Sequence, residues 1–182
     1  MKKLRLAVLT TIALMLTGVA YADDDVLIPG FGVGRDLPGA HNAPDPNTEY
    51  KVVFDLVVND DNLDDPYPFL PVIAVYMNTL HKFGVPEENR KIAIVLHRGS
   101  GLIGLKNEAF KARNDGKDNP NIELIQKLAA AGVTFHICGQ GVLARDIDQD
   151  DLLPEIHVDY WTLTNRRELG RQGYVQIVCL RF

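Results

Sequence analysis

Cys138 is the side chain with the most chemistry to offer. It ends an apolar run, Val133–Cys138, and Gly139 follows. Its sulfur is therefore expected to meet both solvent and the amino end of the next helix. Such a position lowers a thiol pKa and makes the sulfur nucleophilic. His136 stands two residues earlier, so on a strand it points to the same face. The competing reading is a small apolar filler, the common role of a free cysteine. A second constellation is His97-Arg98-Gly99-Ser100-Gly101. Its glycines let backbone approach a ligand, and a helix start after them suits an anion such as phosphate, sulfate or thiosulfate. No Gly-Lys-Ser/Thr follows, so it is not a P-loop, and an ordinary glycine turn is preferred. His97, Arg98, His136 and Gln140 are the binding candidates.

Other chemistries are excluded by spacing. His97, His136, Cys138 and His157 show no paired ligand spacing, so no metal site is expected. Asp60, Asp61, Asp64 and Asp65 lack the glycine and glutamate register of a calcium loop. Phe31-Gly32-Val33-Gly34 sits between no strand and helix of the sheet, so no dinucleotide cofactor is implied. Gly99-Ser100-Gly101 is not a G-x-S-x-G elbow. No cofactor is expected.

The elements that must position these residues are legible from Tyr50 onward. Near-continuous apolar runs at Lys51–Val58, Lys91–Leu96, Val133–Cys138, Ile156–Trp161 and Tyr174–Leu180 read as strands buried on both faces. Helical spacing separates them. Val72, Tyr76, Leu80 and Phe83 form one face before Gly84, and Leu102, Leu105, Ala109 and Ala112 form another after Gly101. Asn119-Pro120 opens a helix with inner face Ile122, Ile125 and Ala129, closed by Gly132. A short helix is expected over Leu143–Leu153 and a last one over Thr164–Gln172. This alternation predicts a flavodoxin-like, three-layer αβα fold with a five-stranded, mainly parallel sheet. In strand order 2-1-3-4-5 the reversal falls between strands one and three, which puts Cys138 beside the ligand crevice. Strand four then separates Cys138 from Cys179, too far for a disulfide. Cys179 is expected to be a core thiol.

Asp23–Glu49, with four prolines and four glycines, reads as an extended arm. Its Val26-Leu27-Ile28 and Phe31 would pack on its own domain or on a neighbouring subunit. Before it, Lys2, Lys3 and Arg5 precede an uncharged run, Leu6–Val19, and Ala20-Tyr21-Ala22. That is the layout of a secretory signal peptide, residues 1–22, and the run is too short to span a bilayer. Removing 22 of the 182 residues leaves 160 and takes the net charge from -5 to -8. An acidic chain without a basic cluster is a poor nucleic-acid binder. No second long apolar run predicts membrane insertion after cleavage. The periplasm is the expected destination, and it is oxidising.

Four blocks together resemble the DsrE/DsrF/TusD-like family, in its exported branch. They are Tyr50–Asp55, Ile94–Gly99, Leu128–Gln140 and Leu169–Tyr174. The resemblance runs from about Tyr50 to Leu180. It implies a flavodoxin-like fold and homo-oligomers, a homotrimer or homohexamer. It also implies that Cys138 matches the cysteine that carries sulfur as a persulfide in the sulfur-relay members, with a donor or acceptor protein as partner. The compact members lack the arm. Two alternatives stay open: a non-catalytic oligomeric module binding a small anion or a protein, and a structural oligomer clasped by the arm.

Overall fold

The computed structural model describes residues 26–58 and 63–181. The leader read at 1–22, and Asp60 and Asp61 of the acidic loop, lie outside them. Five strands form one wholly parallel sheet: β1 (Tyr50–Val58), β2 (Arg90–Arg98), β3 (Thr134–Cys138), β4 (Ile156–Asp159) and β5 (Val175–Arg181). Their order is β4-β3-β2-β1-β5. The expected order 2-1-3-4-5 is therefore corrected. The chain steps outward from β1 to β4, then returns across the sheet to lay β5 beside β1. The reversal lies between β1 and β5, so it is not what places Cys138. Strand runs alone carry no order; only the crossovers between them decide it.

The helices are α1 (Phe69–Lys82), α2 (Asn107–Lys111), α3 (Ile122–Ala130), α4 (Gly139–Leu143) and α5 (Thr162–Arg171). A 3-10 helix spans Gly99–Gly104. The expected helix after Gly101 is thus split into a 3-10 turn and a short α2. The helix expected at Leu143–Leu153 is replaced by α4 and a 3-10 turn at Gln149–Asp151. Asn119 does cap a turn, but as an Asx-turn: its Oδ1 accepts the Asn121 N–H (3.0 Å), and α3 proper starts at Ile122. The inner face of α1 is Leu70, Ile73, Ala74, Met77 and Leu80, whereas Val72 and Phe83 are exposed. Gly84, Gly132 and Gly173 all take positive φ where a helix stops.

The two sheet faces are covered unequally. Val52, Phe54 and Leu56 of β1, Ile92, Ile94 and Leu96 of β2, and Phe135 and Ile137 of β3 pack with α1 and α3 in the main core. Each such side chain contributes roughly 1.5–3 kcal/mol on full burial. On the other face Val53, Ala93 and Val95 meet Leu169 of α5, with Tyr174 against them. β5 departs from its apolar sequence. As an edge strand it buries Cys179 but leaves Val175, Ile177, Val178 and Leu180 exposed. No helix among the described residues is long and apolar enough to cross a membrane.

Residues 26–49 form no helix, and their first stretch lies on α1. Ile28 is fully buried. Asn78 of α1, also buried, reads the arm's backbone: its Oδ1 accepts the Ile28 N–H (2.7 Å), and its Nδ2 donates to the carbonyls of Ile28, Phe31 and Gly32. Thr79 Oγ1 accepts the Gly34 N–H at 2.8 Å. A Cβ at Gly34 would stand 2.9 Å from that oxygen, so only glycine fits. Lys82 adds an ion pair to Asp36 (2.6 Å). Asn78→Ala should strip four backbone groups of their partner and cost about 2–3 kcal/mol. A lowered urea midpoint and new protease cuts within residues 26–36 are expected; an unchanged midpoint would mean the arm is held by other contacts.

Candidate functional site

Cys138 closes β3, and α4 begins at the very next residue. The sharp change of direction is possible because residue 139 is glycine. A Cβ there would lie 2.7 Å from the Asp159 carbonyl oxygen and 3.3 Å from that of Tyr160. The start of α4 therefore presses against the end of β4. Cys138 is left 5% exposed. Burial pushes its thiol up. Hydrogen bonding opposes this: the Thr162 hydroxyl and the backbone N–H groups of Thr162, Gly141 and Gln140 all favour the thiolate. The net effect holds the thiol below its ordinary value. The Thr162 hydroxyl is buried and makes no hydrogen bond of full geometry, to the sulfur or to any other group. Because α4 has only five residues, individual N–H groups and not a helix dipole carry the effect.

Cys179 is the contrasting thiol. It is 4% exposed, and burial, with the Asp55 charge adding to it, pushes its pKa up. Both cysteines are free. β2 and β1 stand between their strands, in place of the single strand expected. Three strand spacings make ~14 Å, well beyond disulfide reach.

The face of the sheet under α5 carries a row of polar groups. Cys138 pairs with Asp159 of β4. His136, one step back on β3, turns Nδ1 to Asp159 Oδ2 (3.0 Å) and to Asn165 Nδ2 (3.3 Å), while Nε2 lies 3.3 Å from Thr134 Oγ1. Both ring nitrogens are thus committed away from the sulfur. Burial lowers the His136 pKa, Asp159 opposes, and His157, its ring 5.7 Å off, adds to the lowering. On the neighbouring strand β2, His97 follows Leu96, the residue paired with Ile137. Its Nδ1 is 3.9 Å from Asp55 Oδ1, and neither atom has a hydrogen-bond partner. Asp55 is 1% exposed. Its other oxygen is held by Arg166 Nη1 of α5 (2.7 Å) and Gln176 Nε2 (3.3 Å). Burial raises the Asp55 pKa against the pull of Arg166 and His97. Burial lowers that of His97, Asp55 opposes, and Arg166, Arg98 and Arg145 add to the lowering.

The remaining sequence candidates take structural positions. Ser100 Oγ accepts the His97 N–H (2.6 Å) and shares its proton between the carbonyls of Leu56 and His97, tying the ends of β1 and β2. The conformational strain of this turn falls on Arg98, at φ 59°, and not on its glycines. Gln140 is exposed and donates to the Tyr160 carbonyl (3.2 Å), fastening α4 to the end of β4. Arg98 and Arg145 border a narrow, largely apolar cleft of about 10 Å³ with Leu96, Ile137, Cys138 and Gly141. No group of three metal-ligating side chains occurs among the described residues. The site therefore gathers Cys138 with His97 and His136, and adds Thr162, Asp55, Arg166, Asp159 and Asn165. Asp55 had a visible signal, a lone charge within an apolar strand run. Thr162 had only its place after strand four.

Residues 52–178 match the family model of the DsrE/DsrF-like family. Two solved structures are similar in backbone. One is a protein of unknown function, MTH1491, from Methanobacterium thermoautotrophicum. It is 19% identical over 71% of this chain and 99% of its own, with a TM-score of 0.48. The other is the ychN protein from E. coli, 14% identical over 72% of this chain and 99% of its own, with a TM-score of 0.46. No curated protein is significantly similar in sequence.

The two thiols should separate cleanly in the native protein. A brief iodoacetamide pulse at neutral pH is expected to label Cys138, while Cys179 reacts only after unfolding. Thr162→Val keeps the backbone donor but removes the hydroxyl, and should slow Cys138 labelling several-fold. Peptide masses read both sites; equal labelling of the two native cysteines would contradict this account.

Proposed function

The chain belongs to the DsrE/DsrF-like family, and from that premise we propose that it carries sulfur as a persulfide on Cys138. The observation that carries this reading is the place of Cys138, at the carboxyl end of β3 with α4 starting at the next residue, in surroundings that hold its thiol below the ordinary value. A thiolate is the form that attacks sulfur. The Cys138 thiolate attacks the outer sulfur of a donor persulfide. The new S–S bond forms, the donor's S–S bond breaks, and the donor leaves as its thiolate. Sulfur is transferred without net oxidation, and an acceptor thiolate takes it onward by the same step. The leader at 1–22 supports export to the periplasm, and the apolar side chains exposed along β5 support a homo-oligomer.

A second reading is a protein-binding module without sulfur chemistry. It draws on Tyr160 (80% exposed), Leu143 and Trp161, which stand exposed beside the Cys138 turn. One experiment separates the two. After incubation with a small-molecule persulfide donor, intact mass should show the protein heavier by one sulfur atom. Cys138→Ser should gain nothing, and Cys179→Ala should load like wild type. Wild-type protein that gains no sulfur, or a Cys138→Ser variant that does, overturns the carrier reading. For export, cell fractionation of the full chain should recover a periplasmic protein beginning at Asp23; an uncleaved cytoplasmic product removes that part.

A further inference from the structure

Cys138 has a histidine–carboxylate couple on either hand, and the two couples are not equivalent. The β2–β3 ladder ends at Leu96↔Ile137, and His97 and Cys138 are the residues that follow that last pair, on the strand face that α5 covers. Cys138 in turn pairs with Asp159. One step back on that face lie Asp55 on β1 and His136 on β3, each paired with Val95 on β2. The His136–Asp159 couple is closed: Asp159 and Asn165 sit at one ring nitrogen and Thr134 at the other. The His97–Asp55 couple is open. His97 Nδ1 and Asp55 Oδ1 face each other at 3.9 Å, both without a partner. Arg166 Nε lacks one too, although its Nη1 holds Asp55 Oδ2.

An almost wholly buried carboxylate with an idle oxygen costs stability, and an apolar residue in the middle of β1 would avoid that cost. The Arg166 pair that attaches α5 uses Asp55 Oδ2 alone and leaves Oδ1 unexplained. The geometry points to a role through its neighbour: we propose that Asp55, clamped by Arg166, positions His97 as the proton acceptor for Cys138. This rests on the sulfur-carrier reading. A small swing of the imidazole brings Nδ1–H onto Asp55 Oδ1 and fixes the tautomer that leaves Nε2 as the base. The Cys138 proton moves to Nε2, giving a thiolate beside an imidazolium whose charge Asp55 faces. When the thiolate attacks a donor persulfide, the imidazolium returns that proton to the departing donor thiolate. Protons and electrons balance with no further reactant. Asp55 and Arg166 are positioning residues in this scheme. The charged groups around His97 are Asp55, Arg166, Arg98 and Arg145; Asp159, His136 and His157 lie on the far side of Cys138.

The test reads the pH midpoint of iodoacetamide alkylation at Cys138, by peptide mass, with Cys179 labelling in the same sample as the measure of unfolding. His97→Gln exchanges one neutral side chain for another. It should raise the midpoint by about one pH unit, which slows labelling about tenfold well below it. Asp55→Asn should also raise it. Here the sign decides, because simple removal of a nearby negative charge lowers a thiol midpoint. The double variant should move it no further than either single one. An unmoved midpoint in His97→Gln overturns the proposal, and so does a lowered one in Asp55→Asn. If Asp55→Asn labels at Cys179 it has unfolded, and His97→Gln alone decides. Sulfur loading with no His97 effect removes this proposal only; a His97 effect without sulfur loading removes the carrier reading only.

Discussion

One buried ion pair fixes the geometry of the whole site. α5 is the helix that covers the back face of the sheet, and its sequence gives it little to hold on with. Thr162 and Leu169 are its buried residues. Arg166 reaching Asp55 in the middle of β1 supplies the rest of the attachment. Breaking such a pair by removing one partner costs about 3–5 kcal/mol, because the other charge stays buried. α5 begins at Thr162, whose surroundings at the Cys138 sulfur favour the thiolate, and Arg166 holds the next turn of the same helix to β1.

The same face stores opposite protonation preferences. Burial raises Asp55, so the folded chain holds its proton more tightly than the unfolded chain does. That group favours folding below the ordinary carboxylate range, and the contribution is lost as pH rises through the raised value. Cys138 is lowered, so it favours folding above the ordinary thiol range, and that contribution is lost as pH falls through the lowered value. At neutral pH neither contribution is present in full. The large apolar core on the opposite face supplies stability that does not depend on pH in this way.

Much of this was legible in the chain. The strand runs, the glycine stops and the position of Cys138 between a strand and Gly139 follow from local rules, because β-branched runs and positive-φ glycines act over a few residues. Strand order did not follow, since the β4-to-β5 crossover is decided by which face α5 can cover. Edge placement was equally hidden: Val175, Ile177, Val178 and Leu180 have the composition of a buried strand yet stand exposed. Within the site, His136 and His97 both qualified by sequence. What separates them is the partner set of each ring, a matter of Asp159, Asn165 and Asp55 arriving from three other elements. Thr162 had no signal of its own, because its value lies in touching a sulfur that is distant in sequence.

Exposure at the sulfur completes the picture. At 5% exposure Cys138 is nearly as enclosed as Cys179 at 4%, so what separates the two thiols is the groups around each sulfur. Its cleft is walled by Leu96 and Ile137 and bordered by the Arg98 and Arg145 side chains. Tyr160 and Trp161 stand exposed immediately after β4. The turn that Gly139 permits therefore does three things at once: it aims N–H groups at the sulfur, narrows the approach to it, and sets an apolar shelf beside that approach.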